Sequence, residues 1–470
     1  YTDEKLTGIS NPIRFKIKEG TPNDIQITFN FTITAKNGLD EKDTVVYTIK
    51  PKPTYTLTVQ NGVALSGIIN EDMTLTNDKL WILENNVLIP EGVTVTVEPG
   101  TRIQFWSADP NNKYGASANV YLQVEGRFIA EGTEEQPIEM YPGKGFEDRA
   151  VTVTGRGGSL AVSCSSLIDN DYENAYTSLK YVNVVNANYN TCNGKNMPFT
   201  VTIIDHCNFI QNIVSDFVFY ITIYAKNVVG TNFTNYYISY DHSDCGIRAE
   251  MFNNNIFDNC DVNIHSKNSF TNNVIVNYNC KSSSLSEAIR IGKYQEVGDF
   301  FETSFINNAI LNSYYINPYK NMCVVGAALV SDDWNGRTTY DISGNYWGTT
   351  NPDLVKVQCL DADWDVSRND LIQEPYLTLD DDMSEIYPFV TEAYLTDKDG
   401  NRIDKVSGAQ TVKMHVKFNR DMASDIQPMV TYGGSEPYTD FAVSGNWANA
   451  REWVGEFKID PYIDLGTMYI

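Results

Sequence analysis

An Asn-rich motif that recurs in the middle of the chain constrains the fold more than any other feature. FNNNIFDN begins at Phe252, FTNNVIVN at Phe270 and FINNAILN at Phe305, and weaker copies occur at 226–229 and 181–186. The second spacing is about twice the first, as expected for one coil and then two coils of a solenoid. In such a stack, equivalent Asn side chains align at a corner and can hydrogen-bond from coil to coil. Asn also tolerates the left-handed backbone conformation that a sharp corner requires.

Short alternating strands surround this repeat, and Gly, Asn, Asp and Pro turns separate them without helical spacing. The stretch WILENNVLIPEGVTVTVEPGTRIQF at 81–105 alternates apolar and polar residues on both sides of a Pro99-Gly100 turn. Such period-two alternation buries one set of side chains and exposes the other. We therefore expect this stretch to form the first coil and entry cap of the solenoid.

Several segments together resemble secreted right-handed parallel β-helix proteins. They are NVLIPEGVTVTVEPGTRIQF, VYLQVEGRFIAEGTEEQPIEMY, the repeated F-x-N-N motif, and GNYWGTT at 344–350. This group includes pectate-lyase-like enzymes and many non-enzymatic surface proteins. The resemblance implies an all-β chain with the β-helix at 54–385. NYWGTTNPDLV followed by QEPYLTL resembles the exit from the solenoid, where aromatic side chains cap the stack.

Patterns typical of β-sandwiches flank the predicted solenoid. Residues 1–53 contain alternating strands and end in a Pro-Lys-Pro linker, since prolines disfavour continued strand pairing. Residues 386–470 alternate again, and FNRDM at 418–422 with two later tryptophans resembles bacterial immunoglobulin-like modules of surface-layer and cell-wall proteins. We expect a partial sandwich module at each end, and a chain that is a fragment of a longer polypeptide.

Composition narrows the functional classes. The 35 Lys and Arg residues against 60 Asp and Glu residues give a net charge of −25 and a pI near 4.5. This charge opposes binding to nucleic acid or an anionic membrane surface, and no apolar run is long enough to span a bilayer. The eight cysteines form no CxxC pair, which disfavours a zinc site. Disulfides and buried free thiols remain alternatives. We expect an extracellular protein attached to a cell surface.

Six polar residues are candidates for catalysis in a β-helix groove: Asp205, His206, Asp241, Asp244, Arg248 and Arg290. In a polysaccharide lyase, carboxylates hold Ca²⁺ against an acidic sugar while Arg or Lys abstracts a proton. In a glycoside hydrolase, two carboxylates supply acid and base or nucleophile. The string IIDHC resembles a motif of one pectate lyase group, but the Arg-x-Pro-x-x-Arg pattern of that group is absent from the sequence.

Four of the six catalytic candidates, and the nearby Lys293, also have a structural interpretation. Asp205 and His206 fit an outward polar pair between an inward Ile and an inward Cys, as on any coil. Arg248, Arg290 and Lys293 fit exposed ion pairs on an acidic surface. The sequence favours these structural roles over catalysis.

Aromatic and acidic residues supply the remaining candidates. Exposed Tyr rings could stack on the C–H faces of sugars, or they could instead pack the core. The glycan-contact candidates are Tyr236, Tyr237, Tyr240, Tyr314, Tyr315 and Tyr319. Acidic loops offer Ca²⁺ ligands, although solvated charge is the alternative. These metal candidates are Asp361, Asp363, Asp365, Asp380, Asp381 and Asp382. The acidic string at 397–401 is better interpreted as a hairpin turn than as a Ca²⁺ loop.

The leading hypothesis is a non-catalytic stalk or adhesin that presents the β-helix to glycans, a cell surface or neighbouring subunits. Repeated coils between terminal modules suit spacing and display, and no complete catalytic set is visible in the sequence. One alternative is a carbohydrate-active enzyme, either a polysaccharide lyase or a glycoside hydrolase. Another is a structural subunit of a surface layer or filament that self-assembles through its terminal modules. Ca²⁺ is the one cofactor that the sequence suggests.

Overall fold

A computed structural model gives the fold of the chain. The residues that it describes are 17, 21, 25–28, 31–36, 44–49, 56–59, 62–106, 120–143, 150–154, 175–187, 190–192, 195–197, 199–212, 222–236, 246–260, 262–264, 269–276, 289–292, 304–311, 329–332, 339–356, 358–363, 366, 370–406, 410–434 and 440–459.

Two long parallel sheets dominate the described part of the chain, and we call them sheet A and sheet B. Sheet A has 13 strands. In hydrogen-bonding order they are Met73–Leu75, Thr94–Val97, Arg127–Glu131, Tyr176–Lys180, Phe199–Asp205, Thr222–Val229, Gly246–Asn253, Val262–Ile264, Ile289–Gly292, Leu329–Asp332 and Cys359–Leu360, with Ser269–Thr271 and Ser304–Ile306 branching from Gly246–Asn253.

Sheet B has 12 strands. In hydrogen-bonding order they are Gly62–Ile68, Leu80–Ile89, Arg102–Phe105, Ile138–Pro142, Val182–Val185, Asn208–Ile210, Asn232–Thr234, Ile256–Asp258, Val274–Val276 and Ala309–Leu311, with Leu122–Val124 and Val153–Thr154 branching from Leu80–Ile89. In the repeat region, the chain passes from a strand of sheet A to a strand of sheet B and back again. This path, with every pairing parallel, confirms an all-β chain and is consistent with a β-helix.

Smaller sheets lie outside the parallel stack. Gln26–Thr28 pairs with Thr56–Thr58 and Phe31–Lys36 with Thr44–Ile49, both antiparallel. The C-terminal region has an antiparallel sheet in the order Arg402–Ile403, Val390–Thr396, Gln410–Phe418, Glu452–Ile459 and Gly445–Asn449, and a pair Val430–Tyr432 with Phe441–Val443. The other pairs are Asn190–Cys192 with Lys195–Met197, and Thr339–Asp341 with Asp370–Ile372.

One short α-helix, Pro352–Lys356, occurs in the described part of the chain. No described helix has the length and apolar character needed to cross a membrane.

The motif copies stack in register, as the sequence predicts. Phe252 of sheet A pairs with Phe270, which pairs with Phe305. The Asn residue two places after each of these has a positive φ, so the predicted left-handed corner is present. These corner residues are Asn254, Asn272 and Asn307.

A buried ladder of amides runs beside this corner. Asn273 accepts hydrogen bonds at Oδ1 from the backbone N and the Nδ2 of Asn255, at 3.0 and 2.9 Å. Its own Nδ2 donates to the Oδ1 of Asn308 and to the carbonyl of Phe252. Asn308 bonds to Asn345 in the same way. All four amides are fully buried, so the predicted Asn ladder is confirmed and satisfies the backbone inside the corner.

Phenylalanine stacks fill the interior beside the ladder. In sheet B, the ring centroids of Phe233 lie 5.1 Å from Phe209 and 5.3 Å from Phe257. In sheet A, Phe270 and Phe305 stack at 5.3 Å. Such rings each contribute about 1.5–3 kcal/mol through burial, which makes these stacks the core of the coils.

The described cysteine side chains are thiols in this interior and form no disulfide. They are Cys207, Cys260 and Cys359, and all three are buried. Burial raises the pKa of the Cys207 thiol to about 12. For these three residues, the structure selects the buried thiol over the disulfide.

We predict that Asn273→Ala lowers the free energy of unfolding by about 2–4 kcal/mol, because the backbone N of Asn255 and the carbonyl of Phe252 lose their partner. Urea unfolding followed by tryptophan fluorescence measures this loss. The control is Asn212→Ala at an exposed position, for which we expect a change below about 0.5 kcal/mol. Equal losses in the two variants would contradict a structural role for the ladder.

Candidate functional site

Asp205 and His206 lie at the end of a sheet A strand, within a small charged cluster. The Nδ1 of His206 contacts one carboxylate oxygen of Asp205, and Lys180 Nζ lies 3.2 Å from the other. The hydrogen bond to Asp205 raises the pKa of Lys180. Beside them, Ser178 Oγ donates to Glu131 Oε1 at 2.8 Å. The Asp205 carboxylate is therefore already paired on both oxygens.

Backbone geometry explains why a histidine can occupy position 206. His206 has a φ of 50°, and it stands at the corner position taken by Asn254 two coils later. Its ring packs 5.2 Å from the ring of Tyr181 on one side and over Gly230 on the other. A Cβ added to Gly230 would lie 3.0 Å from the imidazole. The ring thus fills the space between neighbouring corners, as the structural interpretation requires.

Strand register separates the arginine candidates from this cluster. Asp205 pairs with Val229, which pairs with Asn253, about five residues beyond Arg248 on the same strand. At ~3.3 Å per residue, the backbone of Arg248 is offset by roughly 16 Å along the strand direction. Arg290 occupies the column that contains Arg248, because Ile247, Val262 and Ile289 pair in sequence. The backbone therefore does not bring either arginine position to Asp205.

Asp241 and Asp244 lie outside the described residues, as do Lys293 and the side chains of Arg248 and Arg290.

The structure removes Tyr236 from the glycan-contact candidates. Its side chain is 1% exposed and packs edge-on against Phe233 at 6.3 Å. A ring must be exposed to stack on a sugar, so this prediction is wrong for Tyr236. The other candidates lie outside the described residues: Tyr237, Tyr240, Tyr314, Tyr315 and Tyr319.

The first acidic loop uses its carboxylates within the chain. Asp361 accepts a hydrogen bond from the backbone N of Asp363 at 3.1 Å, and burial raises its pKa. The Asp363 carboxylate forms an ion pair with Lys356 at 2.6 Å. Asp365 lies outside the described residues.

The second acidic loop caps its own turns. Asp381 accepts from the backbone N and the hydroxyl of Thr378, at 2.7 and 2.8 Å, and Asp382 accepts from Ser384 at 3.0 Å. These bonds lower the pKa of both carboxyls. Asp380 lies in the same turn. Across the described ranges, no group of three or more His, Cys, Asp or Glu side chains is arranged to hold a metal ion.

The acidic string at 397–401 forms a hairpin turn. Asp397 Oδ1 accepts from the backbone N of Asp399 and of Asn401, and Gly400 has a φ of 85°. The flanking strands pair antiparallel through Thr396 and Arg402.

A second ladder of amides, which sequence analysis missed, lies on the outer face of sheet B. Asn183 donates to Glu139 at 2.7 Å, Asn208 to Asn183 at 2.8 Å, and Asn232 to Asn208 at 2.7 Å. The hydroxyl of Tyr387 donates to the Oδ1 of Asn232. Burial raises the pKa of the Glu139 carboxyl, and the bond from Asn183 partly offsets this. We call this set the outer relay, since every donor points towards Glu139.

The outer relay had a signal in the sequence. Asn183, Asn208 and Asn232 each occupy the first or second position of a sheet B strand. Their separations of 25 and 24 residues differ from the spacing of the Phe motif. Only the register of the strands shows that they stack.

No protein-family model, curated protein or solved structure matches the chain in a comparison with known proteins.

We predict that His206→Asn changes the free energy of unfolding by less than about 0.5 kcal/mol, because Asn tolerates this backbone conformation. His206→Val should lower it by about 1–3 kcal/mol, since a β-branched residue is strained at positive φ. Thermal and urea unfolding of both variants measure the difference. Equal losses would show that the contact with Asp205, rather than the corner, determines the residue.

Proposed function

We propose that this chain is a non-catalytic extracellular surface protein in which a right-handed parallel β-helix acts as a display stalk. In this proposal, β-sandwich modules of immunoglobulin-like type flank the stalk, and the chain presents a glycan-binding or partner-binding face. The observation that carries the proposal is the way in which the C-terminal module is joined to the stack.

The segment 377–389, which we call the strap, packs against an apolar column on the outer face of sheet B. Phe389 stacks on Tyr346 at 5.8 Å, and the strap residues Met383 and Ile386 join the same buried cluster. On the stack, this cluster contains Val274 and Ala309, with Ile256 partly buried beside them.

Hydrogen bonds hold the strap at both ends. The backbone N of Leu377 donates to the carbonyl of Asn345, and that of Tyr387 donates to Asn272, each at 2.9 Å. The Tyr387 hydroxyl also ends the outer relay at Asn232. The strap therefore spans the outer side of several coils and is bonded to them individually.

Asn419, within the FNRDM sequence, fixes the module to the strap. It is buried, and its Nδ2 donates to the carbonyls of Met383 and Ile386 at 2.9 and 3.2 Å. Its Oδ1 accepts from the backbone N of Phe389 at 2.8 Å. The Asn419 side chain thus holds the module and the strap together through hydrogen bonds. We call this connection a bonded joint, in contrast to a flexible linker.

A bonded joint supports a role in positioning. Each coil adds about 4.8 Å to a parallel stack, so the number of coils sets a distance. A fixed joint then sets the orientation of the module at the end of that distance. A stalk or adhesin needs both properties, which is why the bonded joint supports this proposal.

We predict that Asn419→Ala loosens the joint, because three polar groups of the strap lose their partner. Small-angle X-ray scattering should show a broader distribution of intramolecular distances than in the wild type. The control is Asn446→Ala, an exposed position in the same module, which should leave the scattering unchanged. An unchanged distribution for Asn419→Ala would contradict a joint held by this residue.

We also predict no time-dependent release of reducing or unsaturated ends when the protein is incubated with a panel of polysaccharides, with and without Ca²⁺. Binding without product release would support the adhesin. Product release that Asp205→Asn abolishes would instead establish a polysaccharide lyase or glycoside hydrolase. Concentration-dependent assembly without glycan binding would favour the surface-layer or filament subunit.

A further inference from the structure

The outer relay has a single direction while Glu139 is ionised. An ionised carboxylate accepts hydrogen bonds and donates none, whereas an amide does both. Asn183 turns its Nδ2 to Glu139, which leaves its Oδ1 for the Nδ2 of Asn208. Asn208 in turn accepts from Asn232, whose Oδ1 is left for the hydroxyl of Tyr387. The carboxylate at one end of the relay thus determines which atom meets the strap at the other end.

Strand register keeps the members of the relay in one column. Glu139 and Asn232 are three strand pairings apart, which is about 14 Å at ~4.8 Å per strand, and all the side chains between them are partly buried. Salt screens a direct effect of charge over this distance, because the Debye length is about 8 Å at physiological ionic strength. Any influence of Glu139 on Tyr387 therefore passes through the three amides.

Protonation of Glu139 removes the constraint on direction. A protonated carboxyl donates as well as accepts, so the three amides can also adopt the reverse direction. In that direction, Asn232 presents its Nδ2 to the strap, and the hydroxyl of Tyr387 no longer has an oxygen of Asn232 as its acceptor. The bond from Asn183 also loses its charge assistance, and charge-assisted bonds are roughly twice as strong as neutral ones.

We propose that the outer relay is a pH-sensitive switch, in which ionised Glu139 fixes the strap to the coils and protonated Glu139 loosens it. The proton is exchanged with solvent at the carboxyl, and only hydrogen bonds change along the relay. Tyr387 receives the signal, because its hydroxyl bonds to Asn232 while its backbone N bonds to the carbonyl of Asn272. Since the strap connects the C-terminal module to the stack, the switch sets how firmly that module is held.

Glu139 is the group of this end of the relay that titrates at acidic pH. Burial raises the pKa of its carboxyl above the ordinary value of 4.5, and the bond from Asn183 partly offsets this. On the neighbouring strands, Arg102 and Asn183 face Glu139 in register, and Tyr141 lies on the same face of its own strand. An arginine stays charged, a tyrosine stays neutral and an asparagine does not titrate at acidic pH.

The switch and the burial of Glu139 have opposite signs. Because its pKa is raised, Glu139 adds to the free energy of unfolding below its unfolded pKa, and this contribution is lost as the pH rises through the folded pKa. The strap responds in the other direction and becomes better protected as Glu139 ionises. A difference between wild type and Glu139→Gln that has these two opposite trends distinguishes the switch from a general change in stability.

Hydrogen exchange measured by mass spectrometry on peptides of the strap tests the switch in the whole chain. In the wild type, the protection of the strap, corrected for the intrinsic effect of pH on exchange, should fall roughly three- to tenfold as Glu139 is protonated, as expected for one lost hydrogen bond. Glu139→Gln should have the lower protection at every pH. The control is Glu125→Gln, which alters a carboxylate that accepts one amide bond outside the relay, from Gln123 at 2.9 Å, and should leave the strap unchanged.

Tyr387→Phe completes a double-variant cycle with Glu139→Gln. Each single variant should loosen the strap by a similar factor, and the double variant no further, because both act through one chain of bonds. Substitutions more than about 10 Å apart normally have additive effects, so additive losses would overturn the switch. Protection of the wild-type strap that does not change with pH would also overturn it, and this measurement requires no substitution. Equal losses in the Glu125 and Glu139 variants would refute it as well, since they would show a general effect of charge.

Discussion

The buried amide ladder is the interaction on which the rest of this fold depends. A coil that turns sharply leaves backbone N–H and C=O groups inside the corner, where water does not reach them. A buried Asn satisfies both kinds of group, because its Oδ1 accepts from a backbone N of the preceding coil while its Nδ2 donates to a carbonyl of that same coil. Every coil with such an Asn fixes the register of its neighbour, and the Phe stacks follow from that register.

The ladder changes chemistry towards the N-terminal coils, and the corner changes with it. Asn255 accepts from the backbone N of Thr231, whose hydroxyl accepts from the backbone N of Cys207. From Asn255 to Thr231 to Cys207, each side chain has fewer polar atoms than the one before, so fewer side-chain hydrogen bonds connect these coils. At the adjoining corner, Asn254 gives way to Gly230 and then to His206. His206, a catalytic candidate in the sequence, thus occupies the same corner position as Gly230 and Asn254 on the following coils.

Sequence alone predicts the parts of this fold that repeat, and the structure confirms the stacking of Phe252, Phe270 and Phe305. Period-two alternation likewise predicts the strands. It does not predict the outer relay or the burial of Tyr236, because both depend on which residues become neighbours across coils. Tyr236 and Tyr237 are adjacent residues of the same type, so the sequence alone does not predict that Tyr236 is buried. Only the corner next to Asn235 determines that Tyr236 turns inward.

The residues on the outer face of sheet B determine where the strap packs and therefore where the joint lies. Along one column, the relay residues Glu139, Asn183, Asn208 and Asn232 are polar, and the next positions, Ile256, Val274 and Ala309, are apolar. The strap covers the apolar positions, and Tyr387 stands at the change, with its hydroxyl bonded to Asn232 and its backbone bonded to Asn272. A strap shifted by one coil would bury an amide of the relay under apolar side chains or expose an apolar position. The polar and apolar residues of this column therefore determine where the strap ends. Asn419 then fixes the C-terminal module to the strap at that position. In the proposed stalk, this placement would hold the module at a set distance and orientation.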